Sequence, residues 1–447
     1  MKASFTQALG EGRLRPYQVA ILVLITLGLV LDGVDLQVLP LVSPAIVAEW
    51  GVDRAEFGWP LSAAIIGMGV GAFFGGGLGD RFGRRNMLFA SIAVFGGATV
   101  VASFANDIPL MTVLRFLGGL GFGAANPNAL ALVSEWMPQH LRTHVVALLA
   151  IGTPAGTMIG AALVPAMLPA FGWRGTYLIF GAVSLALGCA ILALVRESPP
   201  FLLARGQGEK AHRHARLAVD GPLELLPERH EAEPEEDAGT AIGVFHPGNL
   251  RLNIGIAVSF AASTAIVYGL SGWSPLMLKG VGFADDQLTN ANFALGLVSV
   301  IGALLAGPVD RHFGSRRTMA VCAGITCASI VALGLVIEGI GAAPSAAERW
   351  AVYSLVGVAG GVASIGIATI YAMMTLGYPL SCRSSGIGFG MMMGRMGGVG
   401  MSLAGGYLLD LGGRSVMPFF AVLAVCALVV SSSAWIVDRH IRPRGPG

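Results

Sequence analysis

Charged or Pro/Gly-rich points divide this chain into twelve apolar runs, each near the roughly 20 residues a helix needs to cross a bilayer. They fall at 17–39, 58–78, 87–106, 109–133, 144–168, 174–195, 251–276, 288–309, 318–338, 350–376, 386–409 and 415–437. In hydrocarbon every backbone N–H and C=O must be bonded internally, which predicts a helix for each run. Only 12% of the residues are charged, against about 25% in a soluble domain, so much of the outer surface faces something other than water. The 64 glycines suit helices that approach closely in lipid. The first run, from near Tyr17, is too long for the apolar region of a cleavable signal and reads as the first span.

An even number of spans puts both termini on one side. Of the 28 Lys and Arg residues, only Arg54, Arg174, Lys279, Arg349 and Arg414 fall in loops on the opposite side. Arg115 and Arg395 lie inside runs, and all the others lie on the terminus side or in the middle loop. The positive-inside bias predicts cytoplasmic termini and an inner-membrane location. The net charge of +2 offers nothing to nucleic acid.

Three regions are expected: a six-helix bundle over 1–196, a cytoplasmic linker over 197–248, and a second six-helix bundle over 249–447. The linker carries the acidic cluster Glu231, Glu233, Glu235, Glu236 and Asp237 and reads as a solvated segment. Cys189, Cys322, Cys327, Cys382 and Cys426 form no CxxC pair and read as small hydrophobes. No metal or cofactor is expected. The absence of a P-loop, a nucleophile elbow and a His/Cys cluster argues against an enzyme.

The halves echo one another. Asp80-Arg81-Phe82-Gly83-Arg84-Arg85 joins spans 2 and 3, and Asp310-Arg311-His312-Phe313-Gly314-Ser315-Arg316-Arg317 joins spans 8 and 9 with two extra residues. Pro138 and Arg142 after span 4 recur as Pro379 and Arg383 after span 10. Matches in the same order indicate duplication of a six-helix unit. Gly permits a tight turn, the arginines favour the cytoplasmic face, and Asp80 or Asp310 can pair in one conformation and release in another. The loops therefore read as gate latches, with a plain topology-setting role as the simpler alternative. Glu135 and Arg142 at the end of span 4 read as gate or packing charges.

Span 1 contains Leu31-Asp32-Gly33-Val34-Asp35-Leu36-Gln37, two carboxylates three residues apart on one helix face. Intramembrane carboxylates are costly and face a cavity or a partner. Asp32 and Asp35 are candidate proton carriers. Arg115 and Arg395, one per half, suit a carboxylate ligand through the guanidinium fork. For Arg115 a structural ion pair to Asp32 or Asp35, at similar depth, is an equal alternative. Tyr268 and Trp273 are candidate contacts for an aromatic ring. Tyr371, Met391, Met392, Met393 and Met396 fit ordinary helix packing better.

The loop around Asp80 resembles the signature of the major facilitator superfamily, over nearly the whole chain. Arg196-Glu197-Ser198-Pro199-Pro200-Phe201-Leu202 resembles an element shared by its sugar porters and organic-ion carriers. The D-G-x-D element is similar to that of the aromatic acid:proton symporter family. So are Arg115 with the run Gly118 to Gly123, Asn126-Pro127-Asn128, Ser134-Glu135-Trp136-Met137-Pro138, Gly272-Trp273-Ser274-Pro275 and Gly394-Arg395-Met396-Gly397. Ser315 and the longer spacing of the second loop depart from the pattern. The resemblance implies an all-α fold of two six-helix bundles around a central cavity. It also implies a monomer that takes up an aromatic carboxylate, such as a hydroxybenzoate, with protons. Asn126 would join Arg115, Tyr268, Trp273 and Arg395 as a substrate contact. A sugar porter is disfavoured because span 7 lacks a glutamine pair. A drug or organic-ion exporter is the nearest rival, and a transporter-like sensor is the rival from another class.

Overall fold

The computed structural model describes residues 2–10, 14–219, 224–226, 243–341, 343–378, 382–413 and 415–440. The molecule is built from long helices. In the first half these are α1 (Pro16–Trp50), α2 (Gly58–Phe82), α3 (Arg84–Ala102), α4 (Ile108–Trp136), and the helical run Gln139–Leu194, whose two limbs α5 and α6 part at Gly172. In the second half they are α7 (Leu250–Gly280), α8 (Asp285–Phe313), α9 (Ser315–Glu338), α10 (Ala346–Gly377), α11 (Arg383–Gly412) and α12 (Met417–Ile436). Ten helices among the described residues are long and apolar enough to cross a membrane, the one holding α5 and α6 being long enough for two passes. The Gly-rich α11 is the long helix outside that set. The twelve runs are therefore twelve helices.

Two departures from the sequence expectation have simple causes. The first run ends at Leu39, yet α1 continues through Pro40 and Pro44 to Gly51, whose left-handed backbone (φ 63°) closes it. Proline removes one backbone bond, which packed neighbours make tolerable in a membrane helix. Helix is also not quite universal: Lys2–Ser4 pairs in parallel with Glu224–Leu226 in a short ladder. That ladder joins the start of the chain to the middle loop.

The two halves repeat one packing plan. In the first, α1 packs on α5, α2 on α4, and α3 on α4 and α6; in the second, α7 packs on α11, α8 on α10, and α9 on α10 and α12. Glycine allows the tightest of these contacts. A methyl group on Gly33 of α1 would lie 2.0 Å from the Thr153 carbonyl oxygen of α5, so no other residue fits there. Between halves, α2 meets α11, α5 meets α8, and α1 meets α7, which is the exchange expected of a pseudo-twofold pair.

The buried core shows how the halves meet. At the end bearing the α1–α2 and α7–α8 loops, one continuous cluster mixes both halves, from Val38 and Phe57 to Trp273 and Phe419. At the terminus end there are two separate clusters. One, around Trp136 and Ile191, belongs wholly to the first half, and the other, around Phe260 and Tyr378, wholly to the second. The molecule is thus fused at one end and parted at the other. The short helices Pro199–Ala204 and Gly208–Ala215 pack Leu202, Ala211 and Ala215 into the first-half cluster.

Candidate functional site

The D-G-x-D turn lies in the middle of α1, where Gly33 lets the helix press against α5. Asp35 and Asp32 have different surroundings. Arg115 of α4 donates from Nη1 to Asp35 Oδ2 at 2.8 Å. Thr99 of α3 donates to Asp35 Oδ1 at 3.2 Å, and Arg115 Nη2 reaches Thr99 Oγ1 at 3.4 Å. The Arg115 guanidinium also lies 5.1 Å from the centre of the Tyr177 ring on α6. Arg115 is 3% exposed. It is therefore held as the partner of Asp35, the second of the two options open from the sequence. Asp32 is equally buried, and among the described residues it has no hydrogen bond or ion pair, only the nearby charge of Asp35.

Arg395 of α11 is the other intramembrane guanidinium. It is half-buried at the contact between halves, with its Cδ 3.5 Å from where a Gly69 methyl on α2 would sit. No carboxylate pairs with it among the described residues. Its neighbours are phenols: Tyr268 of α7 and Tyr371 of α10 both lie within its electrostatic reach. Tyr268 packs against Gly398 and joins Leu36 and Val399 around the small cluster of Ile65, Met68 and Phe122. Tyr371, set aside on sequence grounds, thus belongs beside Arg395, with its ring edge-on to Phe260 at 5.1 Å. Asn126 on α4 is half-buried and makes no hydrogen bond among the described residues. Its neighbour Asn128 is structural, bonding the carbonyls of Gly75 and Ala124 at 2.8 Å each. Trp273 is fully buried in the core shared by the halves, its ring against Gly405 of α11 and its indole N–H without a partner among the described residues. It does not share an open surface with Arg395.

The α2–α3 loop is tied to the end of α6. Gly83 turns with φ 98°, and the amide of Arg85 donates to Glu197 Oε1 and Oε2 at 3.3 and 3.2 Å. A methyl on Gly83 would lie 2.3 Å from Glu197 Oε2, so the turn needs glycine twice over. Glu197 thereby caps α3, where free amides favour a carboxylate. Burial pushes its carboxyl up from the ordinary range, opposed by those amide bonds. Ser198 caps the helix that follows, with Phe201 N 3.4 Å from its Oγ. Arg85 reaches the Leu192 carbonyl, and Arg205 reaches that of Arg81. Arg84 pairs with Asp80 at 3.2 Å and with Glu135 of α4. The Arg142 side chain lies outside the described residues.

The second loop copies the turn in a shifted register. Gly314 (φ 77°, ψ 148°) matches Gly83 (φ 98°, ψ 137°), and each amide bonds the carbonyl four residues back, Asp310 or Gly79. Counted from the paired glycines, Asp310 stands at the place of Gly79 and Arg311 at that of Asp80. The alignment of Asp310 with Asp80 used in the sequence reading is corrected accordingly. Asp310 is 4% exposed and accepts from Thr369 of α10 at 3.0 Å, whereas the Asp80 side chain is 70% exposed. Ser315 stands at the place of Arg84 and bonds His440 at 3.1 Å. Arg311, Arg316 and Arg317 are exposed, with Arg316 stacked over Trp435 at 4.1 Å.

The family model for the Major Facilitator Superfamily matches residues 25–336. The 4-hydroxybenzoate transporter PcaK of Acinetobacter baylyi is 30% identical over 411 residues, covering 90% of this chain and 87% of that protein. The gallate transporter of Pseudomonas putida is 28% identical over 438 residues, covering 96% and 93%. A bacterial homologue of the human lysosomal transporter Spinster, solved in an inward-facing and occupied conformation, superposes with a TM-score of 0.72. It is 14% identical, covers 95% of this chain and 97% of its own, and speaks for the fold alone.

Proposed function

This chain belongs to the major facilitator superfamily and is a multi-pass membrane transporter, not an enzyme; from that premise we propose that it takes up a small aromatic carboxylate with protons by alternating access. The observation that carries the reading is Arg395: a half-buried guanidinium at the contact of the halves, without a carboxylate partner among the described residues, beside two phenols. An unpaired cation there calls for an anion, and a fork of donors suits a carboxylate. Tyr268 and Tyr371 offer a benzene ring its edge and face contacts, and Asn126 an uncommitted amide. The relatives' names, 4-hydroxybenzoate and gallate transporter, point to the same ligand class.

In this reading Asp32 carries the proton, because it is buried and has no cation partner among the described residues. Asp35 stays ionised against Arg115, and the pair holds α1 to α4. With the basic side taken as the cytoplasm, the fused end faces outward and the parted end inward, so the molecule is in its inward-facing state. Proton and substrate from outside bind the opposite state, open at the outer end, and would favour closing of that end and parting of the inner one only if both bind more tightly in the state reached. Uptake of labelled benzoates, aliphatic acids and hexoses into vesicles under an imposed proton gradient tests the proposal. Gradient-driven benzoate uptake, competed by hydroxybenzoates but not by hexoses, is expected. Hexose uptake, or dye efflux without benzoate transport, overturns it.

A further inference from the structure

The starts of α1 and of the segment after α6 leave a feature that transport does not use. On the lipid-facing side at the terminus end, an open groove of about 600 Å³ is lined by Leu14, Pro16, Val19, Ala20, Val23 and Leu24 with Leu194 of α6. Pro16, Val19, Ala20, Val23 and Leu24 recur at helical spacing, so the groove runs along the α1 axis. Ala20 keeps its floor low. Val19, Val23 and Leu194 are 43%, 49% and 58% exposed, as walls facing acyl chains would be.

Cations crowd the head of the groove. Arg196 follows Leu194 by two residues, is exposed, and has its amide anchored to the Tyr17 hydroxyl at 2.8 Å. Arg213, also exposed, precedes His214, whose Nδ1 lies 2.9 Å from the carbonyl oxygen of Glu197, so the helix carrying Arg213 abuts the residue after Arg196. Glu197, the carboxylate next to Arg196 in the chain, is buried and faces the amides of α3. Among the described residues Arg196 and Arg213 have no ion-pair partner. An apolar groove along the helix, headed by uncompensated guanidiniums at its polar end, matches a molecule with an acyl chain and a phosphate.

We propose that this groove binds an anionic phospholipid, an acyl chain lying along α1 and the headgroup phosphate meeting Arg196 and Arg213. Such a lipid bridges α1, which carries Asp32 and Asp35, to the end of α6. The site is independent of the substrate reading, and its test measures no transport.

The full-length protein, purified in detergent, is melted with dioleoyl phosphatidylglycerol, with dioleoyl phosphatidylcholine, and with inorganic phosphate alone. Phosphatidylglycerol is expected to raise the melting temperature beyond phosphatidylcholine by roughly 3–5 °C at saturation. Each basic residue near an anionic surface strengthens binding about fivefold, so Arg196→Gln should weaken phosphatidylglycerol about fivefold, and the double variant with Arg213→Gln about 25-fold. Ala20→Trp, which fills the groove and keeps both arginines, should remove the shift by either lipid. Arg196→Lys, a milder change should the Gln variants fold poorly, should retain most of the preference. Equal shifts from the two lipids, a preference untouched in the Gln variants, or reproduction of the shift by phosphate alone would each overturn the site.

Discussion

Arg115 donates to Asp35 across 2.8 Å, while Asp32, three residues earlier on the same helix, receives no hydrogen bond from any of the described residues. A buried guanidinium and carboxylate hold one another ionised, and removing either strands the other at high cost. The neighbouring carboxylate without a cation is the cheaper one to neutralise. The two residues of one short motif thus have different work in the proposed cycle.

Asp35→Asn leaves Arg115 buried without its charge partner. Stability is expected to drop by about 3–5 kcal/mol, with both accumulation and exchange lost. Asp35→Asn combined with Arg115→Gln should recover part of that stability. Asp32→Asn should insert and fold normally, fail to accumulate substrate against a gradient, and keep downhill exchange. Uptake against pH in the two single variants, beside counterflow, separates them. Wild-type pH dependence in Asp32→Asn would remove that residue from the coupling step.

Among the described residues Arg395 has no carboxylate partner, so its loss orphans no anion there. Arg395→Gln is expected to leave folding nearly unchanged and to remove one charge-assisted contact to the substrate. Such contacts are worth about 1.5–3 kcal/mol, which corresponds to roughly a 10- to 150-fold rise in the half-saturating substrate concentration. Arg395→Lys keeps the charge but loses the planar fork, and should fall between. Concentration-dependent uptake at matched expression measures both. An unchanged half-saturation in Arg395→Gln would show that the carboxylate is held elsewhere.

Much of this was legible in the sequence, because membrane helices announce themselves by length and loops by charge. The twelve runs, the duplicated Gly83 and Gly314 turns and the intramembrane charges needed no contacts to find. What escaped depended on rotation and register. Spacing puts Asp32 and Asp35 on one face but cannot say which of them meets Arg115; the packing of α1 on α5 at Gly33 decides that. Aligning the basic loops by their aspartates paired Asp80 with Asp310, while the matched glycine turns pair Asp80 with Arg311. Glu197 was read as part of a family element, and its cap on α3 depends on a contact more than a hundred residues away in sequence. Pro40 suggested an end to α1 that its neighbours override.

In its pair with Arg84 the Asp80 side chain is 70% exposed, so the pair adds little to the stability of this conformation. If Asp80 has a partner in the opposite gate state, its loss should change rates without changing the fold. Asp80→Asn is expected to keep membrane insertion and melting within about 0.5 kcal/mol of wild type. Loss of about 1.4 kcal/mol of differential stabilisation between gate states would slow uptake roughly tenfold. Initial rates normalised to surface expression decide the matter, and near-normal turnover would remove Asp80 from the gate.

Glu197 gives a prediction in pH. Burial raises its folded-state carboxyl above the unfolded value, so the folded protein favours the protonated form. The stabilising contribution of that shift is full below the unfolded pKa and is lost as pH rises through the folded one. Glu197→Gln preserves an acceptor for the Arg85 amide and cannot titrate. The stability of the wild type relative to Glu197→Gln should therefore fall from acid toward neutral pH. Glu197→Ala, which uncaps α3, should cost about 1–2 kcal/mol across the same range. Melting of the three proteins from pH 4 to pH 8 gives the comparison (roughly the span in which a raised carboxyl titrates). A wild type that gains on the Gln variant as pH rises would mean that the amide bonds outweigh burial, and that the capped carboxylate is the stable form throughout.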